Sequence, residues 1–288
     1  MRCPPTIVAS VGFIGLALGV ALACCGCEGW NPWKRSADDA DRNPLTLKTM
    51  PVDTDPAQPL TYQVRLVRLR HRLRPDAPLE DVWGILGADP VPHQKAALWR
   101  ANDLRLGVGG PLAMDHLSDL MTETPDRTVR PSTLVVRENL DFVVEIGGVR
   151  PELHLVWTEA DGRLAGRRFD TCRARFRLVC RRDPNDIRAV CIALAPEIAH
   201  GQQRMRYVRT DTGFIQEMRP DLFTVDGLEA EVALASGSLL LIGGDRSSAV
   251  SLGGAMLFDP RGPDVWKETI LVAAQVAGPG AAAPPKGN

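Results

Sequence analysis

The stretch CRARFRLVCRRDPNDIRAVCIALA, residues 172–195, decides the fold class. Cys172, Ala174, Phe176, Leu178 and Cys180 alternate strictly with Arg173, Arg175 and Arg177. A period of two puts the first set on one sheet face and the arginines on the other. Asp183-Pro-Asn-Asp186 then turns the chain. Ile187–Ala195 is apolar on both faces apart from Arg188, as a central strand would be. The β pattern continues outward. Leu134, Val136, Leu140, Phe142, Val144 and Ile146 keep even parity, with Glu138-Asn139 as a turn. Leu153–Thr158 and Arg163–Arg168 flank Asp161-Gly162, a hairpin signal. Leu228–Leu234, Leu239–Ile242 and Thr269–Val276 supply three more strands. Residues 130–277 thus read as a mainly antiparallel β domain.

Upstream, residues 61–129 read as a small α/β portion. Tyr62–Leu73 alternates, but Val64 and Leu66 are even-numbered while Val67, Leu69 and Leu73 are odd. A bulge near Leu66–Val67 would keep both sets on one face. Pro78–Leu86 suits a helix with proline near its first turn, and His93–Ala101 suits a second. Asp103–Val108 suits a short strand. After Gly109-Gly110, Pro111–Met121 suits a third helix, with Leu112, His116, Leu117, Leu120 and Met121 on one face. The third glycine of a dinucleotide fingerprint is absent here, and Pro111 removes an amide, so the glycines read as a tight turn. The expected class is α+β: the small α/β portion, then the larger β domain.

The ends differ in composition. Residues 6–25, TIVASVGFIGLALGVALACC, carry no charge. Val20-Ala-Leu-Ala-Cys24 resembles the lipobox of bacterial lipoproteins. That resemblance implies a signal peptide at 1–23, acylation of Cys24, and a body anchored in the membrane through lipid. Two or three acyl chains make a stable anchor, whereas one is marginal. An uncleaved membrane helix and plain secretion are the other readings, since about 20 apolar residues can span a bilayer. All three put the body outside the cytoplasm. Cys25 is not the aspartate associated with inner-membrane retention, so the resemblance points to the outer membrane. Residues 24–60 hold five prolines between Pro32 and Pro59 among polar residues and suit a lipidated N-terminus with a flexible tether. Residues 278–288 are Gly/Ala/Pro-rich and suit a disordered tail.

The 288 residues are 44% apolar and only 5% aromatic, so aliphatic side chains must fill the core. A formal net charge of −1 gives no reason to expect nucleic acid as a partner. Two local patterns depart from neutrality. Arg68, Arg70, Arg72 and Arg74 fall on every second residue, as do Arg173, Arg175 and Arg177. One reading is a site for phosphate-bearing headgroups or a polyanionic polymer. The other is a solvated face answered by acids such as Glu229 and Glu231 on a neighbouring strand, which the near-neutral charge favours. No HExxH, zinc spacing, GxSxG, P-loop or paired-carboxylate motif is present, so no catalytic residue, metal or cofactor is expected. Cys172, Cys180 and Cys191 are the body cysteines. A Cys180–Cys191 bridge suits an oxidising compartment if the turn pairs residue 180 with 191, and not if it pairs 180 with 189.

Residues 172–276 resemble the C-terminal domain of secretins, the outer-membrane channels of secretion systems. Arg188-Ala-Val-Cys-Ile-Ala-Leu-Ala-Pro196-Glu197-Ile198 resembles the strand that enters the family's Pro-Glu turn. Leu228–Gly244 resembles its glycine hairpin ending Ile-Gly-Gly, and Glu268–Val276 its closing strand. No long amphipathic strand pair for a membrane-spanning ring is evident. The resemblance implies a non-enzymatic envelope lipoprotein acting through contacts with envelope proteins or with itself, in a secretin-like assembly. An anion or glycan binder using the arginine strands is the second reading, and an envelope hydrolase the third.

Overall fold

The computed structural model describes residues 59–73, 79–87, 89–186, 188–210, 213–244, 250–259 and 265–277. The leader, Cys24, the tether as far as Gln58, Arg74 and the tail 278–288 lie outside them. The described chain is predominantly antiparallel β with four short helices. In order it runs β1 (Thr61–Arg72), α1 (Leu79–Ile85), α2 (His93–Ala101), β2 (Leu104–Gly109), α3 (Pro111–Leu120), β3 (Arg127–Arg137), β4 (Asp141–Thr158) and β5 (Leu164–Arg182). There follow β6 (Val190–Thr210), β7 (Gly213–Thr224), β8 (Ala230–Leu234), β9 (Leu239–Gly244), α4 (Leu252–Leu257), β10 (Phe258–Asp259) and β11 (Trp266–Val276).

Two sheets result. The first has the order β2-β9-β11-β1-β3, with β10 on β11; the second has β4-β5-β6-β7, with β8 on β6. The even-numbered faces of both sheets meet in one core. Tyr62, Val64, Leu66, Ile242, Ile270 and Val272 from the first join Phe176, Leu178, Cys180, Ile192, Leu194 and Val232 from the second. The expected boundary at residues 129 and 130 falls inside β3, and the first sheet takes strands from both sides of it. The α/β portion and the β domain therefore share a sheet and a core.

The Leu66–Val67 phase change has a different cause from the expected bulge. β1 pairs β11 and β3 without a register break from residue 62 to 71. Leu66 and Val67 are buried on opposite faces. The even face meets the core, while helices cover the odd face. Trp83 and Leu86 lie over Gly107, Trp83 also over Gly243, and Ala113 over Gly109. A methyl at Gly107 or Gly243 would sit 2.5 or 2.7 Å from those side chains, so glycine lets the helix layer approach. In α3 the buried side chains are Ala113, Met114, Leu117 and Leu120, with Met121 at the C-cap. Leu117, Leu120 and Met121 face inward as expected, while Leu112 and His116 are exposed and Ala113 and Met114 take their place.

Candidate functional site

The second sheet forks. β5 and β6 pair from Arg182↔Val190 to Cys172↔His200 and then separate. Beside that last pair stand two left-handed residues, Thr171 (φ 47°) and Gly201 (φ 73°). A threonine there is strained, and such irregularities raise local twist. Past the fork, β4 pairs β5 and also bridges Ser251 through Val156, while β6 pairs β7.

The two arms meet different fates. The β4–β5 arm is docked. Leu153, Leu155 and Phe169 are buried, and Phe169 packs against Phe223 at 5.0 Å between ring centroids. Asn102, buried after α2, binds the strand end like a backbone: its side-chain amide donates to the Thr158 carbonyl at 3.0 Å and accepts from the Thr158 amide at 2.9 Å. Next to it, Gly253 of α4 packs so closely that a Cβ would lie 2.0 Å from the Asp103 carbonyl oxygen.

Among the described residues, most of the β6–β7 arm beyond the fork is exposed. Residues 201–207 and 213–216 are all exposed. The register puts Met205 opposite Met218 and Tyr207 opposite Gln216, with Phe214 next along the same face. Tyr207 and Phe214 are each 72% exposed, Met205 62% and Met218 50%. Gln216 donates a hydrogen bond to the Tyr207 hydroxyl at 2.7 Å. The opposite face carries Arg204, Arg206, Glu217 and Arg219 beside Val208 and Ile215. Arg219 pairs with Glu217 at 2.7 Å, and Arg206 pairs with Asp221. The arm is amphipathic, which the sequence did not make evident. Its alternation is split by Gly201 and by the break between Thr210 and Gly213, and neither half is long enough to stand out. Pro220 and the register shift after His200 interrupt pairing at the root of the arm, whereas Gly213–Arg219 contains no proline, lysine or bulge. A sheet edge without such features invites another strand.

The arginine stripes separate. Arg173, Arg175 and Arg177 face carboxylates. Arg173 pairs with Glu145 at 3.1 Å; Arg175 and Arg177 hold the buried Glu197 at 2.9 and 2.7 Å; Arg177 also reaches Glu229 at 3.4 Å. That stripe is an ion-paired face rather than an open anion site, and Glu229 is the expected cross-strand acid. On β1, Arg72 pairs with Asp126 at 3.3 Å. Arg68 pairs with Glu268 at 2.5 Å and Arg70 with Asp259 at 3.0 Å, and both line a cleft of about 270 Å³ with Arg130 of β3 and Arg150 of β4.

The Cys180–Cys191 bridge is excluded by register. Cys180 lies opposite Ile192, and Cys191 opposite Arg181, so the two thiols face opposite sides of the sheet. All three body cysteines are free and buried. Burial pushes the Cys180 thiol up to about 12. Cys191 donates to Glu231 at 3.1 Å, and burial, then that carboxylate, pushes it to about 12 as well. Among the described residues, no group of three metal-ligating side chains is found, and no helix is long and apolar enough to cross a membrane.

No protein-family model and no curated relative matches the chain. Among solved structures it is similar to the InvG secretin domain β-barrel from the Salmonella SPI-1 injectisome base. The identity is 11%, coverage is 79% of this chain and 65% of that one, and the TM-score is 0.22. It is also similar to the Type IV competence pilus secretin PilQ of V. cholerae, at 11% identity, 77% and 62% coverage and a TM-score of 0.23. The chain spans just under two thirds of the length of each. Both neighbours are secretins, and at these TM-scores neither likeness assigns a role to any residue here.

Proposed function

We propose that the protein is a non-enzymatic cell-envelope component that acts through protein–protein contacts, and that a second copy of the chain covers the β6–β7 arm. The observation that carries this is the arm with Met205, Tyr207, Phe214 and Met218 on one exposed face. An isolated two-stranded hairpin is marginal in water, and covering each such side chain contributes about 1.5–3 kcal/mol. Arg206 and Arg219 have their carboxylates within the arm. An apolar face repeated on every copy is self-complementary. The uncharged segment 6–25 and Cys24 support an envelope location with a lipid anchor, outer membrane preferred. The motifs between Arg188 and Val276 support a secretin-like, secretion-associated assembly.

Sedimentation velocity of the full chain in mild detergent tests this. The expected result is a species larger than the 31.3 kDa monomer. The double variant Met205→Glu, Met218→Glu is expected to sediment as a monomer with Tm within about 2 °C of wild type, because exposed substitutions away from the core change stability little. A wild type that stays monomeric at every concentration would sink the reading, as would a variant that still assembles.

A further inference from the structure

We propose that the ring cluster at the root of the β6–β7 arm is a hinge lock, and that protonation of His200 loosens it. The four-stranded ladder ends on one row, in which Arg150 of β4, Cys172 of β5, His200 of β6 and Asp221 of β7 lie side by side. Beyond that row β5 and β6 no longer pair. Thr171 and Gly201, the two left-handed residues, stand next to it and are the points about which the backbone can pivot.

Rings take over where the ladder stops. Trp157 of β4 meets Phe223 of β7 edge-on, 4.8 Å between ring centroids. Phe169 of β5 meets Phe223 of β7 and His200 of β6, each at 5.0 Å. All three contacts join the docked arm to the exposed one. Phe169 is buried, while Trp157, His200 and Phe223 are partly open to water. The angle between the arms therefore rests on side-chain packing rather than on a continuous ladder, and one member of that packing titrates near neutral pH.

The charges around His200 decide the direction. The Arg167 guanidinium of β5 lies 5.0 Å from the Phe169 ring and 5.9 Å from the Phe223 ring. An imidazolium at His200 would bring a second cation to the same Phe169 ring. On β4, Arg150 lies beyond Cys172 in the row, and Trp157 carries no charge. Arg168 and Asp170 fall on the other face of β5 from Phe169 and pair with each other. Asp221 of β7 is directly opposite and favours the charged form, but it already pairs with Arg206 of β6. Burial first, then Arg167, holds the imidazole below its ordinary 6.5 against the pull of Asp221. An opened root returns it to that ordinary value. The lock is therefore complete above pH 6.5 and weakens as pH falls below it. Between pH 7.5 and 5 an ordinary value of 6.5 limits the gain in opening to about thirtyfold. This inference is read at the fork and does not rest on what covers the arm.

The test is native-state hydrogen exchange of the full chain in detergent at about pH 7.5 and pH 5, corrected for intrinsic rates. It follows the amides of Cys172–Ala174 and Ile198–His200, which end the β5–β6 ladder. In wild type their protection should fall between about threefold and thirtyfold on acidification. His200→Phe keeps a ring and removes the titration, so its protection should not fall. Arg167→Gln, at an exposed position, removes the neighbouring cation and should show a smaller fall than wild type. His154→Gln, on an exposed histidine paired with Glu152, should respond as wild type does. The double variant Met205→Glu, Met218→Glu should also respond as wild type does, whether or not the chain assembles, so the two readings fail separately. Unchanged protection in wild type overturns the inference. So does a full fall in His200→Phe or Arg167→Gln, or a fall lost in the double variant.

Discussion

Glu197 is 2% exposed and accepts from both Arg175 and Arg177. Replacing it with glutamine leaves two partly buried guanidinium groups without their shared charge. Breaking a fully buried pair costs about 3–5 kcal/mol; with both arginines partly open to solvent, Glu197→Gln should cost about 2 kcal/mol by urea unfolding. The Arg173–Arg177 stripe was visible in the sequence, but this acid was not marked as its partner, because only the strand register brings residues 175 and 197 together. The thiols make a second prediction at this scale. Cys180 and Cys191 are raised from 9.0 to about 12, and burial raises Tyr62 in the same sense. Above pH 9 the unfolded chain therefore binds fewer protons than the folded one. Stability is complete below pH 9 and falls as pH rises toward 12, by about 1.4 kcal/mol per pH unit for each thiol. Urea midpoints at about pH 8 and pH 10.5 check the sign: Cys180→Ala should show a shallower decline than wild type, and an equal decline would refute the assignment.

Elements with a strong local period were legible. α2 spans the expected His93–Ala101, and β2, β8, β9 and β11 lie within three residues of expectation. Where the period broke, its cause was not local. The Leu66–Val67 phase change marks a strand that meets the opposite sheet on one face and helices on the other. Leu140–Ile146 and Leu153–Thr158 read as separate strands, yet they are one strand, β4, bent at Gly147–Val149. β6 was expected to end at Ala195 and instead runs to Thr210. Its distal half alternates Met205 and Tyr207 with arginines and has no core to announce it. That same feature is why the arm tolerates charge: nothing buried depends on Met205 or Met218 facing inward.

At the scale of the molecule, the sheets take strands from distant parts of the chain. β1 and β11, some two hundred residues apart, are neighbours, and β3 crosses the expected boundary. Residue patterns describe strands, and long-range pairing assembles them into sheets. The candidate sites follow from that assembly. The cleft needs β1, β3, β4 and β10 together, and the arm exists because the sheet forks at Thr171 and Gly201. On the proposed reading, another copy of the chain covers the arm. Hydrogen exchange of the full chain at high and low concentration tests it at the amides of β7. Slow exchange is expected across Gly213–Arg219 at high concentration and fast exchange on dilution, with the core strands β9 and β11 slow in both. Fast exchange across Gly213–Arg219 at both concentrations would contradict it.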